Sequence, residues 1–475
     1  MVMGDIATGT DVLVIGGGPG GYVAAIRAAQ LGLATTLVEK DAYGGTCLND
    51  GCIPSKALIA GANLAHDAAN GEHLGVSADP EVDMAAMSDW KDDVVDRLTG
   101  GVETLCEANG VDLVEGTAAF EDEHTVRVAH GGEGQGMETI EFEYCIVATG
   151  SRAVRIPGFD FADEAVWSSR HALAAESVPD EFVVVGAGYV GMELSTTFAK
   201  LGSDVTVVEA LDDVLPGYED DVARVVRTRA ESLGVEFEFG EVAAGWEPTE
   251  AGRITVSTET SDGTRSSYDA DRVLVAVGRE PVTDTLELEN VGLSPDENGF
   301  LATDDRARTD VEHLFAVGDV AGGPMLAHKA SAEGLVAAAV AAGENAALDH
   351  QAIPAAVFTD PEVGTVGMTE AEAEAAGFDA LVGHVSLRAN GRALTRSDSD
   401  GFVRLVAEAD AGFVLGAQIV APEASELVAE VGLAIEMGAR LDDLVGTVHT
   451  HPTVSEAVAE AAADAQGRAI HALDH

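Results

Sequence analysis

Residues 11–39 read DVLVIGGGPGGYVAAIRAAQLGLATTLVE, and residues 182–209 read FVVVGAGYVGMELSTTFAKLGSDVTVVE. In the first stretch an apolar run, Val12 to Ile15, enters a glycine-rich turn. An alanine-rich helical segment follows, Gly32 stops it, and a second apolar strand ends in Glu39. That context gives a GxGxxG pattern its meaning as a dinucleotide-binding unit. Gly16 permits the tight turn, Gly18 lets a pyrophosphate approach the backbone, and Gly21 lets the helix pack closely. The helix N-terminus offers free N–H groups and a positive dipole end to the phosphates. Glu39 is placed to bind a ribose hydroxyl. The second stretch repeats the pattern with Gly186, Gly188, Gly191 and Glu209. The acid follows the first glycine by 23 positions in both stretches, and the inner glycines, Gly32 and Gly202, follow it by 16.

A lone GxGxxG is a weak signal, but two copies with matched strand, helix and acid predict two bound dinucleotides on an α/β fold with two Rossmann-like units. Both acids favour an unphosphorylated ribose. No arginine follows Glu209 in Ala210-Leu211-Asp212-Asp213, so the second unit is expected to take NAD and not NADP.

The rest of the chain fits around these units. Its 475 residues suit about three domains of about 150 residues. With 83 Asp+Glu against 26 Lys+Arg the formal charge is −57, a surface that repels phosphate backbones and anionic lipid. Nucleic acid and membrane are therefore excluded as partners. Self-repulsion reaches about 30 Å at 0.01 M salt and about 3 Å at 1 M, so the charge predicts a high-salt cytoplasm. The start, Met1 to Thr10, lacks a basic and apolar leader, and apolar stretches such as 334–343 fall short of the ~20 residues of a spanning helix.

Three apolar strands end in glycine or acid: Cys145 to Gly150, Val273 to Gly278, and Leu314 to Asp319. The first two close the strand sets of the two units. Asp319, at a strand end, is either an acceptor for a ribityl hydroxyl or an N-cap.

Residues 44–56 read GGTCLNDGCIPSK, with Cys47 and Cys52 near the start of a helical stretch through Lys56. Two such thiols can close a small disulfide, and a helix N-terminus lowers a thiol pKa. The alternatives are a zinc half-site or two buried thiols. Zinc needs two further ligands, and Cys106 and Cys145 lack His or Cys at ligand spacing, so no metal is expected. Near the end, VHTHPTVSE places His449 and His451 before Glu456. Moving a proton near neutral pH calls for a histidine base, and Glu456 orients it if a helix begins near Thr453 or Val454. Residues 423–437 read as an amphipathic helix with Leu427, Val431 and Ile435 in step, facing core or interface.

The GGTCLNDGCIPSK stretch, the paired nucleotide motifs and the HPTVSE segment resemble the flavoprotein pyridine nucleotide–disulfide oxidoreductases, nearly end to end from Asp11 to about Gly467. Within them the chain is most similar to the branch that oxidises dihydrolipoyl groups. The resemblance implies an FAD-binding domain in two parts (1–150 and 279–348), an inserted NAD-binding domain (151–278), and an α+β dimer-interface domain (349–475). It makes Cys52 the flavin-side sulfur and Cys47 the one that exchanges with a dithiol. It puts Lys56 near the flavin N5, gives Asp319 the ribityl chain, and lays the segment 325–330, with Ala327 and Lys329, along the flavin. Gly278 falls in the loop leaving the NAD domain, and Ala118 or Ala119 contacts FAD. His451, paired with Glu456, is implied as the base for the disulfide of a second subunit, with His449 shaping the pocket. A homodimer serving lipoyl domains of 2-oxoacid dehydrogenase or glycine cleavage components follows. Glutathione reductase is opposed by Glu209, and mercuric reductase by a C-terminus, 469–475, without a cysteine pair. A non-catalytic subunit binding lipoyl proteins is disfavoured because every catalytic element is present.

Overall fold

A computed structural model describes residues 8–131, 136–249 and 252–471. The expectations of no leader and no terminal cysteine pair fall partly on residues 1–7 and 472–475, outside this set.

Strand β1 (Thr8–Ile15) carries Val12, Leu13 and Val14 fully buried, because both of its faces are covered: Val12 and Val14 pack on helical alanines such as Ala24 and Ala337, and Leu13 packs on strand residues such as Phe120 and Val126. Gly18 caps helix α1 (Pro19–Gln30), with Pro19 as its first residue, and β2 (Thr35–Glu39) returns beside β1. A short helix α2 (Gly45–Asn49) precedes α3 (Cys52–Ala69) and α4 (Met84–Ala108). Strands β3 (Val111–Glu115), β4 (Thr117–Asp122), β5 (Thr125–Ala129) and β6 (Met137–Val147) complete a sheet of order β3-β2-β1-β6-β5-β4. Much later in the chain, Leu314–Ala316 joins this sheet parallel to β6.

The second unit has α5 (Ser169–Leu173), the strand Glu181–Val185, α6 (Tyr189–Lys200), the strand Asp204–Glu209 and α7 (Asp220–Ser232). Its five-stranded sheet is parallel, flanked by Glu236–Phe239 on one side and by Arg272–Val275 and Val166–Trp167 on the other. An antiparallel three-stranded meander, Glu241–Pro248 to Arg265–Ala270, is inserted before its last strand. Helix α8 (Ala327–Ala341) lies close against α1: a Cβ on Gly334 would meet the Gly20 carbonyl oxygen at 2.4 Å.

The C-terminal part is a five-stranded antiparallel sheet covered by helices Ala424–Glu436 and Glu456–Ala465. Val431 is fully buried in its core, whereas Leu427 and Ile435 are partly buried at the edge. Leu433 and Met437 project outward at 64% and 74% exposure, so the first helix has one core face and one uncovered apolar face. No helix among the described residues is long and apolar enough to cross a membrane.

Candidate active site

Each glycine loop is fixed by contacts within the chain. Gly16 and Gly186 have φ of +107° and +103°, and a Cβ on either would strike the carbonyl oxygen of Ala148 (2.3 Å) or Ala276 (2.7 Å). A Cβ on Gly21 would stand 1.8 Å from Gly16 O, and one on Gly191 1.9 Å from Gly186 O. Gly18 and Gly188 differ. A Cβ on Gly18 would meet only Gly45 Cα at 3.9 Å, and one on Gly188 nothing within 4 Å. These two glycines cap α1 and α6, so the room that a side chain would fill lies in front of two helix N-termini. Protein packing does not require glycine there, and a dinucleotide pyrophosphate fits both places. The two acids also match. Glu39 accepts from the backbone N–H of Gly17 (2.6 Å) and Asp41 (2.8 Å), and Glu209 from Ala187 (2.6 Å) and Leu211 (2.9 Å). Each carboxylate thus pins its own loop at the place where a ribose would meet it.

A cleft of about 770 Å³ runs from the first loop to the second unit. Gly16, Gly18, Glu39, Cys47, Cys52, Lys56, Asp319 and Ala327 line it. So do six cations, Lys40, Lys56, Arg152, Arg155, Arg170 and Arg279, against five acids. In a chain where acids outnumber cations threefold, that local balance suits a diphosphate. Ala118, and not Ala119, lines a side cavity of about 50 Å³ with Gly16 and Glu39. Gly186, Gly188, Gly191 and Gly278 do not line the cleft. Tyr189, Val190 and Glu193 of α6, and Arg279 after Gly278, do. Asp319 lies inside the turn Gly318–Ala321, whose cap is Val317, so the N-cap alternative falls. Its Oδ2 accepts from Ser151 Oγ at 2.5 Å, and Arg279 Nε donates to that hydroxyl at 2.8 Å. Lys329 turns away from the cleft: its buried ammonium lies on Glu333 (2.6 Å) and Gly322 O (2.7 Å).

Cys47 lies in α2 and Cys52 is the first residue of α3, capped by Gly51. Both are free thiols, hydrogen-bonded to each other. The hydrogen bond from Cys47 lowers the Cys52 pKa to about 7, with help from Lys56 one turn along α3, against the opposing effect of burial. The same hydrogen bond, then burial, raises the Cys47 pKa. The sulfurs therefore differ: the pair favours ionisation at Cys52 and opposes it at Cys47. Lys56 Nζ reaches Glu193 Oε2 at 2.8 Å and lies 4.4 Å from the Phe358 ring centroid. The other oxygen of Glu193 accepts the Phe358 N–H at 2.9 Å. The sequence reading missed Glu193, although an acid inside the apolar run YVGMELSTTF is a signal, since a buried carboxylate must find a cation or donors. No group of three His, Cys, Asp or Glu among the described residues is arranged to hold a metal.

At the other end of the chain, His451 Nδ1 is 3.0 Å from Glu456 Oε1, and Glu456 Oε2 accepts the Thr453 N–H at 2.9 Å. The helix begins at Glu456 itself and not at Thr453 or Val454; the residues between form the turn that carries the pair. The Thr453 N–H, more than His451, holds the Glu456 carboxyl below the usual carboxylate range. His451 is 80% exposed, its Nε2 has no partner among the described residues, and it does not line the cleft. His449 is its opposite: 8% exposed, with Nε2 on Glu430 Oε1 (2.8 Å) and Nδ1 on Thr447 O (3.1 Å). Of these two, His451 alone keeps a ring nitrogen free for proton transfer among the described residues.

Residues 10–334 match the pyridine nucleotide-disulphide oxidoreductase family, and 353–462 match its dimerisation domain. The chain belongs to this family. Among curated members, the dihydrolipoyl dehydrogenase of Haloferax volcanii is 69% identical over 475 residues, covering all of both chains. The dihydrolipoyl dehydrogenase of Geobacillus stearothermophilus is 46% identical over 474 residues, again covering all of both. Of solved structures, LpdA from Mycobacterium tuberculosis superposes with a TM-score of 0.88 at 28% identity, over 95% of this chain and 99% of that one. The flavoprotein disulfide reductase RclA from Escherichia coli gives 0.83 at 27%, over 94% and 98%. A disulphide oxidoreductase of this family joins a sulfur pair, a flavin and a nicotinamide, the three components for which the cleft and loops have room.

Proposed function

We propose that this family member oxidises the dihydrolipoyl group of lipoylated carrier proteins, or free dihydrolipoamide, to the cyclic disulfide, and passes the electron pair to NAD+. The observation that carries this reading is the unequal, hydrogen-bonded Cys47–Cys52 pair at a helix N-terminus inside the cleft. FAD, when bound, supplies the two-electron step between a dithiol and a nicotinamide. We assign Gly16, Gly18, Gly21, Glu39, Lys56, Ala118, Asp319 and Ala327 to FAD, and Gly186, Gly188, Gly191, Glu209 and Gly278 to NAD.

With the pair oxidised, His451 Nε2 takes the proton of one substrate thiol while Glu456 holds Nδ1–H. The substrate thiolate attacks Cys47 Sγ, the Cys47–Cys52 bond breaks, and Cys52 leaves as a thiolate that the start of α3 and Lys56 stabilise. The second substrate thiol gives its proton to Cys47 as it displaces that sulfur and closes the lipoyl ring, while His451 keeps the first proton. Two electrons now reside on the sulfur pair, with Cys47 protonated and donating to Cys52. Lys56, itself held by Glu193, keeps a cation one turn from the thiolate.

The dimerisation domain is present at 353–462. The finer reading is a homodimer in which each chain's His451 serves the cysteines of the second copy, divided into domains at 1–150, 151–278, 279–348 and 349–475. Lipoyl domains of a 2-oxoacid dehydrogenase or glycine cleavage complex as substrates, a cytoplasmic location and work at high salt complete it. Steady-state assays with dihydrolipoamide, glutathione disulfide and Hg(II), each with both nicotinamides, test it. Dihydrolipoamide with NAD+ should dominate; faster glutathione reduction by NADPH would replace the reading.

A further inference from the structure

The chain has five lysines, and one of them, Lys200, has no place in the reaction described above. Its side chain is 4% exposed at the last residue of α6. The ammonium donates to Asn63 Oδ1 of α3 at 2.7 Å and to Asp360 Oδ2 at 2.6 Å, and Arg229 of α7 reaches the same carboxylate oxygen at 3.2 Å. Burying an ammonium is costly unless its partners are well placed, and here the two come from separate parts of the chain, α3 and the segment that holds Asp360.

The positions fall into a pattern. Seven residues separate Lys56 from Asn63 on α3, and seven separate Glu193 from Lys200 on α6. The contacts Lys56–Glu193 and Asn63–Lys200 therefore repeat at the same offset on both helices, about two turns or about 10 Å apart. The helices run parallel and in register, and their N-termini, Cys52 and Tyr189, both open on the cleft. Between the two polar crossings, Leu58 of α3 is buried in one apolar cluster with Leu194 and Phe198 of α6. A single short segment of the dimerisation domain closes both crossings: Phe358 N–H lies on Glu193, and Asp360 on Lys200.

We infer that Lys200, with Asp360 and Asn63, is a positioning residue that sets the register of α6 on α3, and so the placement of the second dinucleotide loop against the sulfur pair. It acts mainly on the nicotinamide half of the reaction, because α6 carries the second loop, and reaches the dithiol half, whose other groups lie on α2, α3 and the His451 turn, only through the Glu193–Lys56 contact. The inference rests on the proposed dithiol–NAD function.

The test compares parent, Lys200→Met and Lys200→Arg holoenzymes in anaerobic stopped flow, following FAD absorbance on mixing with NADH alone or with dihydrolipoamide alone. Lys200→Met should slow the NADH reaction by about tenfold, a cost in keeping with sub-ångström misplacement, and leave the dithiol reaction within about twofold. Amide exchange at Phe358 should quicken by about tenfold as the Glu193 contact loosens. Lys200→Arg should restore both. Unchanged NADH reduction and exchange, or equal slowing of both half-reactions, would overturn the inference. If Lys200→Met yields no folded holoenzyme, Asn63→Leu, which removes one of the two partners, decides by the same split with a smaller effect. A parent that reacts with NADH but not with dihydrolipoamide would defeat the proposed function, while the NADH and exchange comparisons still judge Lys200.

Discussion

Cys52 starts a helix inside a cleft and draws on Cys47, Lys56 and, through Lys56, on Glu193 from the second unit, whereas His451 stands on a turn, 80% exposed, with one carboxylate behind it. The sulfur half is complete within one chain: its hydrogen bond, its cation and its helix terminus are all supplied locally. The imidazole half is oriented by Glu456, its Nε2 has no partner among the described residues, and it stands beside a helix whose Leu433, like the capping Met437, is exposed. Acidity can be tuned inside a single fold, whereas on the proposed reading the base reaches a carrier-borne dithiol across a subunit boundary. Unequal construction implies unequal sensitivity.

The largest effect is expected in the sulfur half. Cys52→Ser should abolish dithiol:NAD turnover while the purified protein keeps its FAD content; loss of flavin instead would make Cys52 structural. His451→Gln should slow turnover by about 10²–10⁴-fold, the share of a general base. Mixing the two variants sharpens the contrast, because in a hybrid dimer one of the two sites has both halves intact. Randomly reassembled mixtures should recover about a quarter of parental activity. No recovery would place His451 on its own chain's cysteines.

The sequence carried the parts of this site that depend on local spacing. Gly16, Gly18, Gly21 and Glu39, with their counterparts in the second unit, were legible because tight turns, close approach and a strand-end acid leave fixed offsets. Cys47 and Cys52 were legible for the same reason. Contacts made by residues far apart in the chain leave no such offset. Ser151 and Arg279, which hold Asp319, lie on two strands paired across more than a hundred residues, and Glu193 meets Lys56 only once α6 lies on α3. Within the segment 325–330, Met325, Ala327 and Ala330 line the cleft, while the fold turns the Lys329 side chain inward to Glu333. The helix bearing Glu456 begins at Glu456 itself, two residues beyond Val454, because Ser455 is its cap.

Two smaller effects separate the halves further. Glu209→Arg should lower kcat/KM for NAD+ by about tenfold, or about 1.4 kcal/mol, and raise it for NADP+. A negligible change in the ratio would remove Glu209 from ribose selection and leave it as the anchor of the Ala187 loop. In reduced enzyme, alkylation of Cys52 should accelerate as pH rises through about 7, because the thiolate held by Cys47 and Lys56 forms there and not near the ordinary thiol value. Lys56→Met should move that midpoint upward, and His451→Gln should leave it in place.

The most direct measurement adds one equivalent of dihydrolipoamide to oxidised holoenzyme without oxygen or NAD+, and then counts alkylated cysteines by peptide mapping. The account predicts that Cys47 and Cys52 become labelled together, that the flavin absorbance changes with them, and that NAD+ added before the alkylating agent leaves both unreactive with NADH formed. Labelling of neither sulfur, or flavin reduction by the dithiol in Cys52→Ser, would contradict it.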